Sequence, residues 1–236
     1  MSEAWGWLTD SANWHGEGGI PTRMYEHLEI SAIALLLAFV IALPIGVILG
    51  HLGRGGFLAV NVGNVGRAIP TFGLLIIFAS WSAIGVGDEA AILALAIFAI
   101  PPLLTNAYVG MRGVDPDVKD AARGMGMTGS QLIRKVELPL AVPLIFGGIR
   151  TATVQVVATA TLAAVVAGGG LGRYIVDGRG TQDDAQLYGG VVLVVTLCLV
   201  VEYVLSHMQR RIDPVREERA AREAPAGGVH TPVTTS

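Results

Sequence analysis

The stretch Lys119–Pro143, KDAARGMGMTGSQLIRKVELPLAVP, stands in the middle of a chain whose other long segments are almost wholly apolar. Asp115-Pro116, just ahead of it, predicts a helix start. An Asp N-cap accepts hydrogen bonds from the first free backbone N–H groups, and Pro at the first helical position loses nothing by lacking its own. The helix is expected to run to about Arg123, where Gly124 and Gly126 break it. Thr128 and Gln131 have the S/T-x-x-E/Q spacing of a capping box and open a second short helix, expected to reach about Glu137 before Leu138-Pro139 stops it. The stretch therefore reads as two brief helices around a Gly-rich corner. Ala121, Ala122, Met125 and Met127 would give that corner a small, adaptable apolar surface suited to docking on a partner; the competing reading is a merely solvated loop.

On either side lies apolar sequence. Of the 236 residues, 52% are hydrophobic and 15% charged, with a mean hydropathy of +0.58, which places the chain among membrane proteins. The 31 glycines fit, because helices in lipid associate through close backbone contact at small residues. A net charge of −3 is too small to suggest nucleic-acid binding. Cys198 is the sole cysteine, which excludes an intrachain disulfide and a cysteine zinc site. Residues 1–20 have neither a basic n-region nor an apolar h-region, so the first hydrophobic run is expected to be retained.

That run, Leu28–Gly50, would reach about 35 Å at about 1.5 Å per residue, enough for a hydrocarbon core of roughly 30 Å. Further spans are expected at 57–81, 90–111, 143–167 and 187–207. The fold class is thus an all-α integral membrane protein with about five transmembrane helices. It divides into an external N-terminal segment 1–24, a transmembrane domain 25–210 and a charged, then Pro/Gly/Thr-rich tail 211–236 that reads as cytoplasmic and disordered. With the N-terminus outside, 13 of the 16 Lys and Arg residues fall inside, and only Arg23, Arg173 and Arg179 stay outside. Basic residues gather on the cytoplasmic side of membrane proteins, so this orientation is the expected one, and it puts the 115–139 insert in the cytoplasm.

The insert resembles the EAA loop of ATP-binding-cassette importer permeases, which reads Glu-Ala-Ala, three residues, Gly, nine residues, Ile-x-Leu-Pro. Here Asp120-Ala121-Ala122 is followed by three residues, Gly126, nine residues and Val136-Glu137-Leu138-Pro139. Asp for Glu keeps the charge, and Val for Ile keeps the shape. The resemblance covers roughly residues 24–210 and implies a MetI-like permease fold. It also implies that Asp120, Ala121, Ala122, Gly126, Leu138 and Pro139 form the coupling surface for a separate cytoplasmic ATPase subunit. The further implied partners are an extracytoplasmic solute-binding protein, a second permease copy or close paralogue, and the lipid bilayer. EHLEIS (Glu26–Ser31), RAIPTFGLL (Arg67–Leu75) and Gly147–Gly172 look like the glycine betaine, carnitine, choline and proline branch; methionine-type and other small-solute importers share the AGGGLG-like ending.

Asn61, Asn64, Arg67 and Thr71 follow at steps of three, three and four, and Thr151, Gln155 and Thr159 at steps of four, each set expected on one helix face. With Thr105 and Asn106 they are candidate lining for a solute path, because polar groups on membrane helices turn toward a bundle interior or water. The alternative is hydrogen bonding between helices. A weakly polar passage would suit a zwitterion. Glu202 is the one carboxylate in the spans that could argue for an ion-coupled carrier, and it is expected to reach the interface or meet Arg210. Gly168, Gly169, Gly170 and Gly172 are not followed by Lys-Ser/Thr, and the chain lacks G-x-x-x-x-G-K-[ST], so it is expected to bind no ATP and to need no cofactor. Those glycines are expected to permit a bend at an external gate. The five histidines show no metal-ligand spacing, and no hydrolase constellation is suggested.

Overall fold

The computed structural model describes residues 2–212, apart from the side chains of residues 2, 58–60, 65 and 67. Among the described residues the chain is helical throughout. Its helices are α1 (Ser2–Thr9), α2 (Ile20–Leu52), α3 (Gly56–Ala68), α4 (Thr71–Ser80), α5 (Asp88–Arg112), α6 (Pro116–Gly124), α7 (Gly129–Leu132), α8 (Leu138–Thr159), α9 (Gly172–Thr181) and α10 (Asp184–Ile212). Four described stretches are long and apolar enough to cross a membrane: α2, α5, the run from α7 to Val166, and α10. Arg211 and Ile212 close α10; the rest of the expected tail, 213–236, lies outside the described residues, as does the side chain of Arg67.

α2 and α5 form the centre. Ala34, Ala38, Ala42, Gly46 and Gly50 recur every four residues along α2, and all five are buried. That stripe lets the backbones close. A β-carbon on Gly46 would stand 2.7 Å from Ala107 Cβ, and one on Gly50 2.5 Å from Met111 Cβ. α5 answers with Ala90, Ala94, Ala99, Leu103 and Ala107, all but inaccessible. α8 lies against α5, where Gly148 sits so near Asn106 that an added β-carbon would approach its Cβ to 2.6 Å. Lipid hydrocarbon offers helices no hydrophobic reason to associate, so this close packing of small residues supplies the contact energy instead.

The expected span 57–81 is not one helix. It is α3 followed by α4, each too short to cross alone, with the break at Ile69-Pro70. Proline lacks an N–H, and its ring disfavours helical backbone at the residue before it; Pro70 itself is extended, with ψ 110°. Both halves pack on α5. The insert also departs from expectation. Leu138-Pro139 does not stop its second helix. The chain passes from α7 through a π-helical turn, Ile133–Glu137, directly into α8, with the Leu138 N–H donating to the Ile133 carbonyl. An α-turn would push the Pro139 ring against the carbonyl four residues back. The wider turn removes that clash, so the helix continues.

α9 and α10 form a second, smaller core with the N-terminal segment. The Trp7 ring meets Tyr174 edge-on, with centroids 4.9 Å apart and planes at 72°, and Gly189 leaves room for the indole. Ile20, Leu171 and Val194 complete this cluster.

Candidate coupling surface and translocation site

The insert is built as its caps dictate. Asp115 Oδ1 accepts from the Asp117 N–H at 2.9 Å, and Pro116 opens α6. Thr128 and Gln131 complete a reciprocal capping box at the start of α7. Between them Gly126 takes φ +84°, a left-handed conformation that costs residues with a β-carbon about 1–2 kcal/mol. The corner presents Met125, 74% exposed, beside exposed Ala121. Asp120 is also exposed and pairs with Arg123 at 3.0 Å. Ala122 points inward and is buried. Leu138 is half-buried and Pro139 exposed, so four of the six expected coupling residues, Asp120, Ala121, Gly126 and Pro139, are open to a partner, and Ala122 instead anchors the corner.

Beneath the corner lies a charge cluster that residue spacing did not reveal. Glu137, inaccessible to solvent, meets His51 Nδ1 at 2.5 Å. Lys119 Nζ stands 3.2 Å from its other carboxylate oxygen and donates to the Met111 carbonyl at 3.0 Å. Four elements converge there: the ends of α2 and α5, helix α6 and the π turn. A buried carboxylate is tolerable only with such partners. The one signal in the sequence was a Glu inside an otherwise apolar Val-x-Leu-Pro.

The two expected polar lines fare differently. Asn61 and Asn64 share α3, but Thr71 opens α4 beyond the Pro70 break, so the line does not continue along one helix. Asn61 donates to the Phe57 carbonyl of its own helix at 2.7 Å. Thr105 lies where a β-carbon on Gly63 would meet its Oγ1 at 2.8 Å, at the α3–α5 contact. Thr151 and Gln155 of α8 do border a cavity of about 580 Å³, together with Asn106 of α5; Thr159 does not.

The cavity also holds residues not proposed from sequence as path lining: Arg150 and Gln209, with Glu202. Arg150 Nε donates to Glu202 Oε2 at 3.0 Å, its NH2 group pairs with the other carboxylate oxygen, and its NH1 donates to Gln209 Oε1 at 2.8 Å. Glu202 therefore meets Arg150, not Arg210 as expected. Arg150 was counted among the 13 basic residues expected inside; it lies twelve residues into α8, about 18 Å along the helix axis. The signal was legible as Gly147, Arg150, Thr151, Val154 and Gln155, a helical face at steps of three and four that lines one wall.

At the opposite end of the bundle the glycine run is held by carboxylates. Asp88 Oδ1 accepts from the Gly169 N–H at 2.7 Å, and Glu26 Oε2 accepts from the Gly170 N–H at 2.8 Å while pairing with Arg23. Gly170 has φ +88°, and a β-carbon on Gly172 would fall 2.2 Å from the Thr161 carbonyl oxygen. These amides already serve protein carboxylates, so the run is a packed joint between α2, α5 and α9. Buried His27 adds a contact, its Nε2 at 2.8 Å from the Val157 carbonyl and hence the protonated nitrogen. Nearby, the Tyr174 hydroxyl donates to the Gly18 carbonyl at 2.7 Å, and burial pushes this phenol up to about 12 despite the pull of Arg23. Glu26→Ala would strand the Gly170 N–H, at an expected cost of about 1–3 kcal/mol. Thermal unfolding in detergent should fall by roughly 2–4 °C per kcal/mol, and Glu26→Gln, which keeps an acceptor, should recover most of the loss.

Comparison with known proteins fits this architecture. The family model described as "Binding-protein-dependent transport system inner membrane component" matches residues 42–215. The choline transport system permease protein OpuBB of Bacillus subtilis (strain 168) is 38% identical over 202 residues, covering 86% of this chain and 92% of that protein. The glycine betaine/carnitine/choline transport system permease protein OpuCB of the same organism is 39% identical over 189 residues, covering 80% and 86%. In fold, the chain matches an inward-facing conformation of the MetNI methionine ABC transporter with a TM-score of 0.70 at 23% identity, over 90% of this chain and 99% of that one. The chain belongs to the family of inner-membrane components of binding-protein-dependent transport systems, the non-catalytic permease subunits of ABC importers.

Proposed function

We propose that this permease carries a small quaternary-amine osmolyte into the cell, with the 115–139 insert facing the cytoplasm and the N-terminus outside. ATP is hydrolysed on separate subunits that grip the corner around Met125 and Gly126. An extracytoplasmic binding protein delivers the solute to the glycine end. The permease works as a pair, with a second copy or a close paralogue. Asp120, Ala121, Gly126, Leu138 and Pro139 form the coupling surface, with Ala122 as its buried anchor, and Asn106, Thr151 and Gln155 line the path. Gly168, Gly169, Gly170 and Gly172 form the external joint.

The observation that carries this reading is the pair of capped helices joined through a left-handed glycine, exposing a Met/Ala corner over a buried charge cluster. A solvated loop needs no such foundation. The solute class is supported by the names of the relatives, which transport choline, glycine betaine and carnitine. The test is the complete importer in proteoliposomes with its ATPase and binding protein, measuring glycine betaine uptake and ATP hydrolysis. Gly126→Val strains the corner by about 1–2 kcal/mol, and uptake should fall about 5–30-fold if docking relieves none of that strain. Gly124→Ala has open space around it and should leave uptake unchanged. Uptake indifferent to Gly126→Val would remove the coupling assignment. Gradient-driven uptake without nucleotide would replace it with an ion-coupled carrier.

A further inference from the structure

Resting on the importer reading above, we infer that Arg150 and Glu202 form a dipolar subsite that selects zwitterionic solutes over bare cations during passage. Both lie within the spans expected from the sequence, 143–167 and 187–207. Arg150 is twelve residues from the start of α8, and Glu202 ten from the end of α10, about 18 and 15 Å along their axes. Charges within a span are costly against lipid and belong where water or a polar ligand reaches them. These two border the cavity of about 580 Å³, and their side chains stay 29% and 38% exposed.

The pair is not saturated. Three of the five guanidinium N–H donors are engaged, by Glu202 and Gln209; the other two have no partner among the described residues. Both Glu202 oxygens keep acceptor capacity. A solute with a carboxylate and an ammonium centre can lay its dipole antiparallel to the ion pair, carboxylate toward Arg150 and cation toward Glu202. All four charges are then partnered without breaking the pair. A bare cation attracted to Glu202 meets the guanidinium beside it, and a bare anion meets the carboxylate. Like-charge juxtaposition of this kind discriminates against the wrong ligand.

The rest of the lining fits transit. Asn106, Thr151 and Gln155 offer neutral hydrogen bonding, and none of the lining residues is aromatic. A tight quaternary-ammonium site stacks rings around the cation; this one supplies charge alone, so the solute can leave.

The experiment uses the complete importer in proteoliposomes, with glycine betaine as the zwitterion and choline as the cation. The measured quantity is the betaine-to-choline uptake ratio. The double variant Arg150→Gln/Glu202→Gln removes both charges while keeping length and hydrogen bonding. Its ratio should fall about tenfold or more, through loss of betaine uptake or gain of choline uptake. Arg150→Gln alone, leaving Glu202 unopposed, should shift the ratio further toward choline. An unchanged ratio in both variants, including an equal loss of both solutes, would overturn the subsite and leave the pair a helix-to-helix tie. Wild-type complex that hydrolyses ATP but moves neither solute would instead sink the quaternary-amine reading itself.

Discussion

Glu137→Ala is expected to destabilise the chain by about 3–5 kcal/mol, the range for removing one member of a buried charge network. The carboxylate is inaccessible to solvent, and its loss strands Lys119, 7% exposed, beside His51 with no counter-charge between them. Thermal unfolding of purified protein in detergent is the direct measurement. A drop under about 1 kcal/mol would show that water replaces the carboxylate easily. Glu137→Gln keeps the volume and an acceptor and should cost less than half as much. The double variant Lys119→Met/Glu137→Leu removes both charges and should recover part of the loss, because an apolar replacement of a whole buried pair is often neutral. Its non-additivity relative to the single variants measures the pairing itself.

Gly46→Leu and Gly50→Leu are the second pair of large effects. At both positions a new β-carbon meets β-carbons or backbone: Ala107 Cβ at 2.7 Å and the Leu104 carbonyl oxygen at 2.8 Å for Gly46, Met111 Cβ at 2.5 Å and the Tyr108 carbonyl oxygen at 2.9 Å for Gly50. No flexible side-chain end can swing aside, so α2 must move off α5. Overpacking costs about 1–3 kcal/mol per site and occasionally more. The double variant should exceed either single one and should lose monodispersity on size exclusion. Gly180→Ala, with nothing within 4 Å, is the matched control and should stay within about 0.5 kcal/mol. Equal melting temperatures for Gly50→Leu and Gly180→Ala would mean that the α2–α5 contact is looser than these distances state.

The family and the class of fold were open to reading from the residues, for identifiable reasons. Leu28–Gly50 is long and, apart from Glu29 and Ser31 near its start, apolar, and α2 contains it whole. The caps at Asp115 and Thr128 are local rules that act within four residues, and both form as the spacing predicts. What stayed hidden depends on competition or on distance. Leu138-Pro139 signals a stop by local chemistry, yet a π turn absorbs the proline because α8 must continue into its packed groove. Pro70 falls inside the expected span 57–81 and divides it, since nothing local says which proline a helix survives. Glu137 with His51, and Arg150 with Glu202, are partners 86 and 52 residues apart. No spacing rule reaches that far. Counting charges put Arg150 only on the inner side, when its place on one face with Thr151 and Gln155 gave the better clue.

Because the π turn joins α7 to α8 without a loop, residues 129–166 form one continuous helical run. A movement of its α7 end is therefore carried along unbroken helix toward Arg150 and then the 3₁₀ segment preceding the glycine joint. The α6 side is different, since a short turn at Gly113–Asp115 separates it from α5. An engine gripping the corner would therefore twist one rod while bracing against the other, so opening at one mouth and closure at the far mouth become a single rotation.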